Sequence, residues 1–293
     1  MIRLLVTGRN GQVATALAEG AARHQGIEVV ALGRPELDLE RSETIGPAII
    51  AARPDVVVNA AAYTAVDKAE AEPDRAFAAN RDGASAVARA TAQLRVPLIH
   101  LSTDYVYPGN KPEAYVESDA TGPLGVYGQS KLEGEQAVRA AHPVALVLRT
   151  SWVYSPFGAN FVKTMLRVGR ERPVLRVVDD QQGNPTSAID IADAILRITA
   201  ASRFPPGGAT LHLCGTGSTT WCGLARHIFT TSARLGGPSP KVEAIATADY
   251  PTPARRPANS RLRMDAFVAR FGFSLRPWQD AVDETVARLL RDG

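Results

Sequence analysis

The fold is decided by the stretch Leu4-Leu5-Val6-Thr7-Gly8-Arg9-Asn10-Gly11-Gln12-Val13-Ala14. A short apolar run ends in a turn with two glycines, Gly8 and Gly11, and a helical pattern begins directly after it. In this arrangement backbone N–H groups and the helix N-terminus face a pyrophosphate. Two glycines are also common in ordinary tight turns, and Ala14 stands where many phosphate-binding turns carry a third glycine. The position at the first strand–helix junction favours a dinucleotide-binding turn.

The rest of the chain repeats this alternation of short apolar runs and longer segments with helical periodicity. The pattern predicts an α/β fold, a Rossmann-type doubly wound parallel sheet with helices on both faces. Expected strands are 2–6, 27–32, 55–58, 96–101 and 144–148, and expected helices are 12–23, 42–52, 67–77, 81–94 and 126–140. Right-handed crossovers place the carboxyl ends of all strands on one edge, where ligands of such sheets bind.

The regularity loosens after about residue 150, where Pro and Gly interrupt the chain at 204–208, 236–240 and 250–257. We therefore expect a smaller C-terminal substrate domain. The predicted division is an NAD(P)-binding Rossmann domain at 1–150, to which the chain returns within 174–230, and a smaller substrate-binding domain at 151–173 and 231–293.

Composition excludes several other classes of protein. With 293 residues and 45% hydrophobic content the chain can bury a large core, and a net charge of +3 spread over single arginines does not indicate a nucleic-acid partner. The two cysteines, Cys214 and Cys222, lack the neighbours of a zinc site or a disulfide framework. No apolar window has the length of a membrane helix or a signal peptide. We expect a cytoplasmic protein with no membrane partner and no structural metal.

Tyr127 and Lys131 are four residues apart, which places the phenol and the ammonium on one face of a helix. A free phenol has a pKa near ~10, and a nearby cation lowers it and makes proton exchange with an alkoxide feasible. Thr103 follows the fourth expected strand and is positioned to hydrogen-bond a substrate carbonyl. A Tyr–Lys spacing and a hydroxyl-rich turn each occur by chance. Their joint order after the glycine turn is much more specific than any one of them.

The second expected strand ends in Gly33-Arg34, without the acidic residue that would bind the 2'-hydroxyl of NAD. Arg34 is suited to a 2'-phosphate, which favours NADPH, although an exposed loop arginine is an equally simple interpretation. NADH stays open. Asp38 and Leu39 follow closely and are expected near the adenine.

Several longer segments resemble the extended short-chain dehydrogenase/reductase family, and within it the enzymes of nucleotide-linked deoxysugars. The resemblance covers nearly the whole chain. The segments that carry it are 59–70, 102–107, 126–131, 149–154, 180–186 and 250–262.

The resemblance implies a set of site residues. Gly11, Gln12 and Val13 would touch the cofactor phosphates, Asp38 and Leu39 the adenine, and Ala61, Ala62 and Tyr63 the cofactor after the third strand. Tyr127 would be the proton donor, Lys131 would bind the nicotinamide ribose, and Thr103 would complete the triad. Asp104 and Trp152 match positions that contact the dTDP-sugar, although Trp152 after a strand is also a typical core residue. Asn59 and Asn80 are interpreted as turn or cap residues outside the site.

The implied reaction is hydride transfer from NADPH to the C4 ketone of a dTDP-linked 4-dehydro-6-deoxysugar. Some members of the family dimerise through a magnesium cluster of acidic side chains, so a homodimer and Mg²⁺ stay open, with Glu19 and Glu284 the available helical carboxylates.

Two alternatives to a reductase remain. One is a dehydratase or epimerase of the same fold that retains NAD; dehydratases of this family carry an Asp-Glu pair after the Thr, and this chain has Asp104-Tyr105. The other is a non-catalytic NADP-binding regulatory subunit, which would not require Thr103, Tyr127 and Lys131 together.

Overall fold

The computed structural model describes residues 1–292. The strands are β1 Ile2–Thr7, β2 Ile27–Leu32, β3 Val56–Asn59, β4 Leu98–Thr103, β5 Leu146–Thr150, β6 Val153–Tyr154, β7 Val174–Val178, β8 Gln182–Gly183, β9 Thr186–Ser187, β10 Ala209–His212, β11 Thr219–Thr220 and β12 Lys241–Ile245. The α-helices are α1 Gln12–Gly20, α2 Ser42–Ala52, α3 Val66–Ala69, α4 Pro73–Phe77, α5 Ala84–Leu94, α6 Val126–Ala141, α7 Phe161–Glu171, α8 Ala188–Ala200, α9 Trp221–Arg234, α10 Asp265–Phe271 and α11 Trp278–Arg291.

The central sheet has six strands in the order β10-β5-β4-β3-β1-β2, and every neighbouring pair is parallel. The predicted Rossmann-type α/β fold is confirmed. The chain moves from β1 to β2 on one side and then to β3 on the other, so the topological switch point lies between β1 and β3. Ligands of such sheets bind in the crevice outside the strand ends at that point.

Two apolar layers cover the sheet, one on each face. One layer packs α1 and α8 against the sheet through residues such as Leu17, Ile191 and Ile195. The other packs α2 and α5 against the opposite face through Ile45 and Val87. The alternation of buried side chains along each strand supplies both layers, which is why the strands read as continuous apolar runs.

The C-terminal half contributes to the central sheet and also builds separate apolar clusters. Strand β10 pairs with β5, and α8 packs on α1. In contrast β7 pairs with β12 in a two-stranded parallel sheet, and α7, α9 and α11 enclose clusters of their own. The division into two domains stays a prediction. Within the described part of the chain, no helix has both the length and the hydropathy that crossing a membrane requires.

Two expected helices differ in the structure. The helix predicted at 67–77 is split into α3 and α4, because Pro73 lacks an N–H and Glu72 before it has a non-helical φ of −125°. The helix predicted from residue 81 is preceded by a π-helical segment, Ala78–Gly83, that continues α4 directly into α5. Such π segments are frequent at functional sites.

Candidate active site

The glycine turn after β1 lies at the topological switch point of the sheet, next to the start of α1. Gly8 has a φ of +91°, a conformation that side chains disfavour, and the Gly11 N–H donates to the Gly8 carbonyl over 2.7 Å. A Cβ on Gly8 would lie 3.2 Å from the Ala61 Cβ, so the loops after β1 and β3 touch. Helix α1 begins with no side-chain cap and no acidic residue in its first turn. Its free N–H groups fit an anionic pyrophosphate.

The side chain of Gln12 bonds within the protein, whereas its backbone lies at the start of α1, where a phosphate contact is predicted. The Gln12 side-chain oxygen accepts hydrogen bonds from Ser155 (2.8 Å) and Asn160 (3.1 Å), so the side chain ties α1 to the loop after β6. The backbone of Gln12 and Val13 remains in the first turn of α1, where it is placed to face a phosphate.

The loop after β2 brings together the residues expected near the adenosine. Arg34 is exposed and has no salt bridge within residues 1–292, whereas Arg9 pairs with Glu36 over 3.0 Å. The Asp38 N–H donates to the Thr44 hydroxyl (3.0 Å), and Leu39 is buried. The loop therefore offers an exposed guanidinium without a salt bridge in residues 1–292, while Leu39 packs into the core.

Asn80 joins the loop after β3 to the helix that carries Tyr127. Its side-chain oxygen accepts from the Tyr63 N–H (2.8 Å), and its amide donates to the Tyr63 carbonyl (3.1 Å) and to the Ser130 hydroxyl (2.9 Å). Ser130 in turn donates to the Tyr127 carbonyl over 2.9 Å. Asn80 therefore supports the loop after β3 and connects it to α6, and its exclusion from the site stays a prediction.

Tyr127 lies at the start of α6 and lines a cleft at the carboxyl edge of the sheet. The other walls include Val66, Tyr105, Leu124 and Arg255. The Tyr105 ring meets the Tyr127 ring edge-on, with centroids 5.8 Å apart. Burial raises the pKa of Tyr127 to about 12, and the contact with the Thr103 hydroxyl opposes this rise. The phenol is therefore protonated at neutral pH.

Lys131 follows Tyr127 by one helical turn, as predicted, but the hydrogen-bond partner of its ammonium is a backbone carbonyl of β4. Its ammonium donates to the Leu101 carbonyl over 2.7 Å, and burial lowers the pKa of Lys131 to about 8. The expected lowering of the Tyr127 pKa by Lys131 is not found, because burial dominates at the phenol and the ammonium is directed to the β4 backbone.

Asp104 lies close to Tyr127, and its carboxyl group is buried. The Thr103 hydroxyl donates to one carboxyl oxygen over 3.0 Å, and the other oxygen is buried with no hydrogen-bond partner in the described residues. Burial raises the pKa of Asp104 to about 7, and contacts with the Ser260 and Thr103 hydroxyls oppose the rise. A carboxyl group in this state is suited to hydrogen-bonding a polar ligand.

A buried ion pair holds α6, the helix of Tyr127 and Lys131, against the central sheet. Arg149 on β5 forms a two-pronged pair with Glu135, with N–O distances of 2.9 and 2.7 Å. Ser102 donates to the same carboxylate (2.5 Å), and Arg149 also donates to the Tyr107 hydroxyl (2.7 Å). The network fixes α6 on β4 and β5, and sequence reasoning did not identify it. Glu135, one helical turn after Lys131, was the residue in the sequence that could have indicated this network.

Trp152 follows β5 directly and is half-buried at the same edge of the sheet. The register of β4 and β5 places Thr150 opposite Thr103, so Trp152 lies two residues beyond the strand position beside the hydroxyl loop. Its backbone is left-handed, with φ of +46°, and its indole stacks on that of Trp221.

The carboxylates considered for a magnesium cluster are engaged within the chain. Glu19 pairs with Arg288 through contacts of 2.6 and 2.8 Å, and Glu284 pairs with Arg276 over 2.5 Å. Within residues 1–292 no group of three or more His, Cys, Asp or Glu side chains is arranged to hold a metal ion.

Residues 2–291 match the family model described as the RmlD substrate binding domain. The dTDP-4-dehydrorhamnose reductase of Sinorhizobium fredii is 50% identical to this chain over 296 residues, which cover 100% of this chain and 99% of that protein. A dTDP-4-dehydrorhamnose reductase structure from Clostridium acetobutylicum superimposes with a TM-score of 0.91 at 34% identity, covering 99% of this chain and 100% of that one. The corresponding enzyme of Bacillus anthracis, solved in complex with NADP, gives 0.91 at 32% identity, with coverages of 98% and 100%.

These similarities extend over nearly the full length of each protein, and the relatives are oxidoreductases by name. The family expected from the sequence is confirmed. The chain therefore belongs to the dTDP-4-dehydrorhamnose reductase family of oxidoreductases.

Proposed function

We propose that the chain reduces the C4 ketone of dTDP-4-dehydro-6-deoxy-L-mannose (dTDP-4-dehydro-L-rhamnose) to the alcohol of dTDP-L-rhamnose, with Tyr127 as the proton donor. The observation that carries this proposal is the state of Tyr127. Its phenol faces the cleft, burial raises its pKa to about 12, and the Thr103 hydroxyl adjoins it. Related enzymes carry the name of the same reaction.

The turn after β1 and its neighbours fit a dinucleotide. Gly8, Gly11 and the uncapped start of α1 would hold the pyrophosphate, because a side chain on Gly8 would meet Ala61 and no side chain occupies the helix N-terminus. Arg34 would take the 2'-phosphate of NADPH, since its guanidinium is unpaired in the described residues. Asp38, Leu39, Ala61, Ala62 and Tyr63 would line the adenine and the remainder of the cofactor.

When bound, NADPH supplies the hydride that adds to C4. Tyr127 donates its proton to the carbonyl oxygen as negative charge develops there, which general acid catalysis requires. The Thr103 hydroxyl turns its hydrogen from Asp104 to the same oxygen and stabilises that charge. Lys131, anchored at the Leu101 carbonyl, would hold the nicotinamide ribose next to Tyr127. Positioning by these groups carries most of the rate.

The substrate is assigned to the cleft between the hydroxyl loop and the C-terminal segment. Asp104, which has one unpartnered oxygen in the described residues, and the half-buried Trp152 are assigned to the sugar, as the resemblance implies. A cytoplasmic location, a homodimer and an effect of Mg²⁺ stay predictions.

An elimination or epimerisation activity is less well supported. The residue after Asp104 is Tyr105, whose pKa burial raises, so it is not the ionised base that elimination requires. A purely regulatory NADP-binding role would leave the Thr103, Tyr127 and Lys131 arrangement without a use.

The test is a stoichiometric assay with dTDP-4-dehydrorhamnose and NADPH. We expect one NADPH oxidised for each dTDP-L-rhamnose formed. Conversion of the nucleotide sugar without loss of NADPH absorbance would support a dehydratase or epimerase instead. Tight NADP binding with no turnover of any dTDP-4-ketosugar would support the regulatory role.

A further inference from the structure

The first turn of α6, which carries Tyr127, is capped by a side chain from another element. The N-cap residue of α6, Gly125, makes no side-chain cap, and the first turn contains no acidic residue. The carboxylate of Glu70, directly after α3, instead accepts a hydrogen bond from the Val126 N–H over 2.8 Å. A carboxylate in this place satisfies a free N–H group and stabilises the positive end of the helix dipole. Glu70 therefore holds the residue next to Tyr127.

The residues on both sides of Tyr127 leave room for close contacts. A Cβ on Gly125 would lie 2.5 Å from a carboxylate oxygen of Glu70, so a larger residue there would displace the carboxylate. Gly128 packs on the Tyr105 carbonyl so closely that a Cβ would overlap it. The position of Tyr127 thus depends on contacts at both neighbouring glycines, and Glu70 supplies the contact that comes from α3.

Helix α3 also holds a second wall of the cleft that Tyr127 lines. Asp67 accepts hydrogen bonds from the Ala254 N–H (3.2 Å) and from the Arg256 guanidinium (2.8 Å). The hydrogen bond from Arg256 lowers the pKa of Asp67, so the pair is ionised at neutral pH. Ala254 and the adjacent Arg255 line the same cleft as Tyr127.

The middle of this wall has few other polar contacts. Within the described part of the chain, the other hydrogen bonds of residues 254–256 stay inside segment 252–257. The end of the segment is fixed separately, because Pro257 packs on Gly109 so closely that a Cβ there would overlap it. Asp67 is therefore the hydrogen-bonding link between the middle of the segment and the rest of the structure described.

The two carboxylates are held at a fixed separation by α3 itself. Asp67 and Glu70 are three positions apart, which places them on neighbouring positions of one helix face. Between them Ala69 is buried, and its N–H donates to the Ala65 carbonyl over 2.9 Å. Helix α3 also packs on α6. One helical turn thus joins the start of α6 to the segment at 254–256.

We propose that Asp67 and Glu70 are positioning residues, which set the place of Tyr127 relative to the wall at residues 254–256 by acting through α3. The inference rests on the proposed function, in which the ketosugar binds in this cleft beside Tyr127. Neither carboxylate is assigned to the substrate or the cofactor. The two contacts act in series. Loss of either one releases one wall from the other, so loss of the second adds little.

The test is a double-mutant cycle on kcat/KM for dTDP-4-dehydrorhamnose at saturating NADPH. We expect Glu70→Ala to lower kcat/KM about fivefold to thirtyfold, the effect of losing one helix cap. Asp67→Ala should lower it by a similar factor, and the double variant should lose no more than about twice the larger single effect. The Kd for NADPH should change by less than about twofold in all three variants, because neither contact borders the cofactor turn.

Conservative and control variants separate positioning from a general loss of stability. Glu70→Gln keeps a side-chain oxygen that accepts from the Val126 N–H, so kcat/KM should stay within about twofold of wild type. Lys68→Gln changes an exposed residue of the same helix that has no salt bridge in residues 1–292, and it should behave as wild type. Equal losses in Glu70→Gln and Glu70→Ala would contradict a role through the cap.

Hydrogen–deuterium exchange measures the two links without turnover. We expect faster exchange at residues 124–130 in Glu70→Ala, because the Val126 N–H loses its acceptor. In Asp67→Ala we expect faster exchange at residues 252–257, because the Ala254 N–H loses its acceptor. Unchanged exchange at both places would overturn the proposed links.

The outcomes distinguish the two proposals. Additive losses in the double variant, or a normal kcat/KM in Glu70→Ala, overturn the positioning role and leave the reductase proposal intact. If the wild-type chain does not oxidise NADPH with the ketosugar, the same cycle is measured on the calorimetric affinity for dTDP-L-rhamnose. A non-additive cycle there overturns the reductase proposal alone, and additive losses or no binding overturn both.

Discussion

The Asn80 amide donates a hydrogen bond to the Ser130 hydroxyl over 2.9 Å, and this contact ties the π-helical segment Ala78–Gly83 to α6, the helix that carries Tyr127. The same side chain holds both backbone groups of Tyr63 in the loop after β3. The loop proposed to line the cofactor and the helix that carries Tyr127 therefore share one buried amide as their common support.

Replacing Asn80 should affect the position of Tyr127 more than the stability of the fold. In Asn80→Ala the buried groups of Tyr63 and Ser130 lose their partners, which costs about 1–3 kcal/mol of stability. We expect kcat to fall about 10- to 100-fold through misplacement of Tyr127. Steady-state kinetics and thermal unfolding measure the two effects. Ser130→Ala, which removes a single contact, is the control and should lose less; a normal kcat in Asn80→Ala would show that the amide does not position the donor.

Arg34 should determine the preference for the phosphorylated cofactor. Its exposed guanidinium at the end of β2 has no salt bridge in residues 1–292, so it is available to the 2'-phosphate. In Arg34→Ala we expect the KM for NADPH to rise about tenfold, the effect of one charge-assisted contact, and the KM for NADH to stay constant. The exposed Arg41, replaced in the same way, is the matched control. Equal changes with both cofactors would contradict the assignment.

Asp104 should make stability depend on pH in a direction opposite to that of most carboxylates. Burial raises its pKa to about 7, so the folded chain holds this proton more tightly than the unfolded chain does. Its contribution to stability is full below pH ~4 and is lost as the pH rises through about 7. Asp104→Asn, which stays neutral, should therefore gain on the order of 3 kcal/mol relative to wild type between pH 4 and pH 8.

Urea unfolding at several pH values measures this difference. The exposed Asp74→Asn provides the control and should run parallel to wild type across the range. A constant difference between Asp104→Asn and wild type at all pH values would mean that Asp104 titrates normally.

Local patterns were sufficient for the fold and for the placement of the glycine turn and of Tyr127 and Lys131 at one edge of the sheet. The turn at Gly8 and Gly11 and the four-residue spacing of Tyr127 and Lys131 are encoded within single turns, and the structure places each at the carboxyl edge of the sheet. Periodicity also predicted a parallel sheet, because strands buried on both faces read as continuous apolar runs.

The residues that support the candidate site could not be predicted from local sequence patterns. Asn80 meets Ser130 across 50 positions, and Trp152 meets Trp221 across a longer separation, so neither contact leaves a local pattern. The electrostatics of Tyr127 also escaped prediction, because spacing shows that a cation is near but not that burial outweighs it. Such contacts and such burial depend on residues that are distant in sequence and meet only in the folded chain.

The most direct test of the account is the kinetics of Tyr127→Phe with dTDP-4-dehydrorhamnose and NADPH. Tyr154→Phe, which removes a buried phenol in a separate apolar cluster, is the matched control. We predict that Tyr127→Phe lowers kcat by about 100-fold or more, as expected for loss of a general acid, while the Kd for NADPH changes by less than about threefold. A kcat within about threefold of wild type would contradict the central claim that Tyr127 donates the proton.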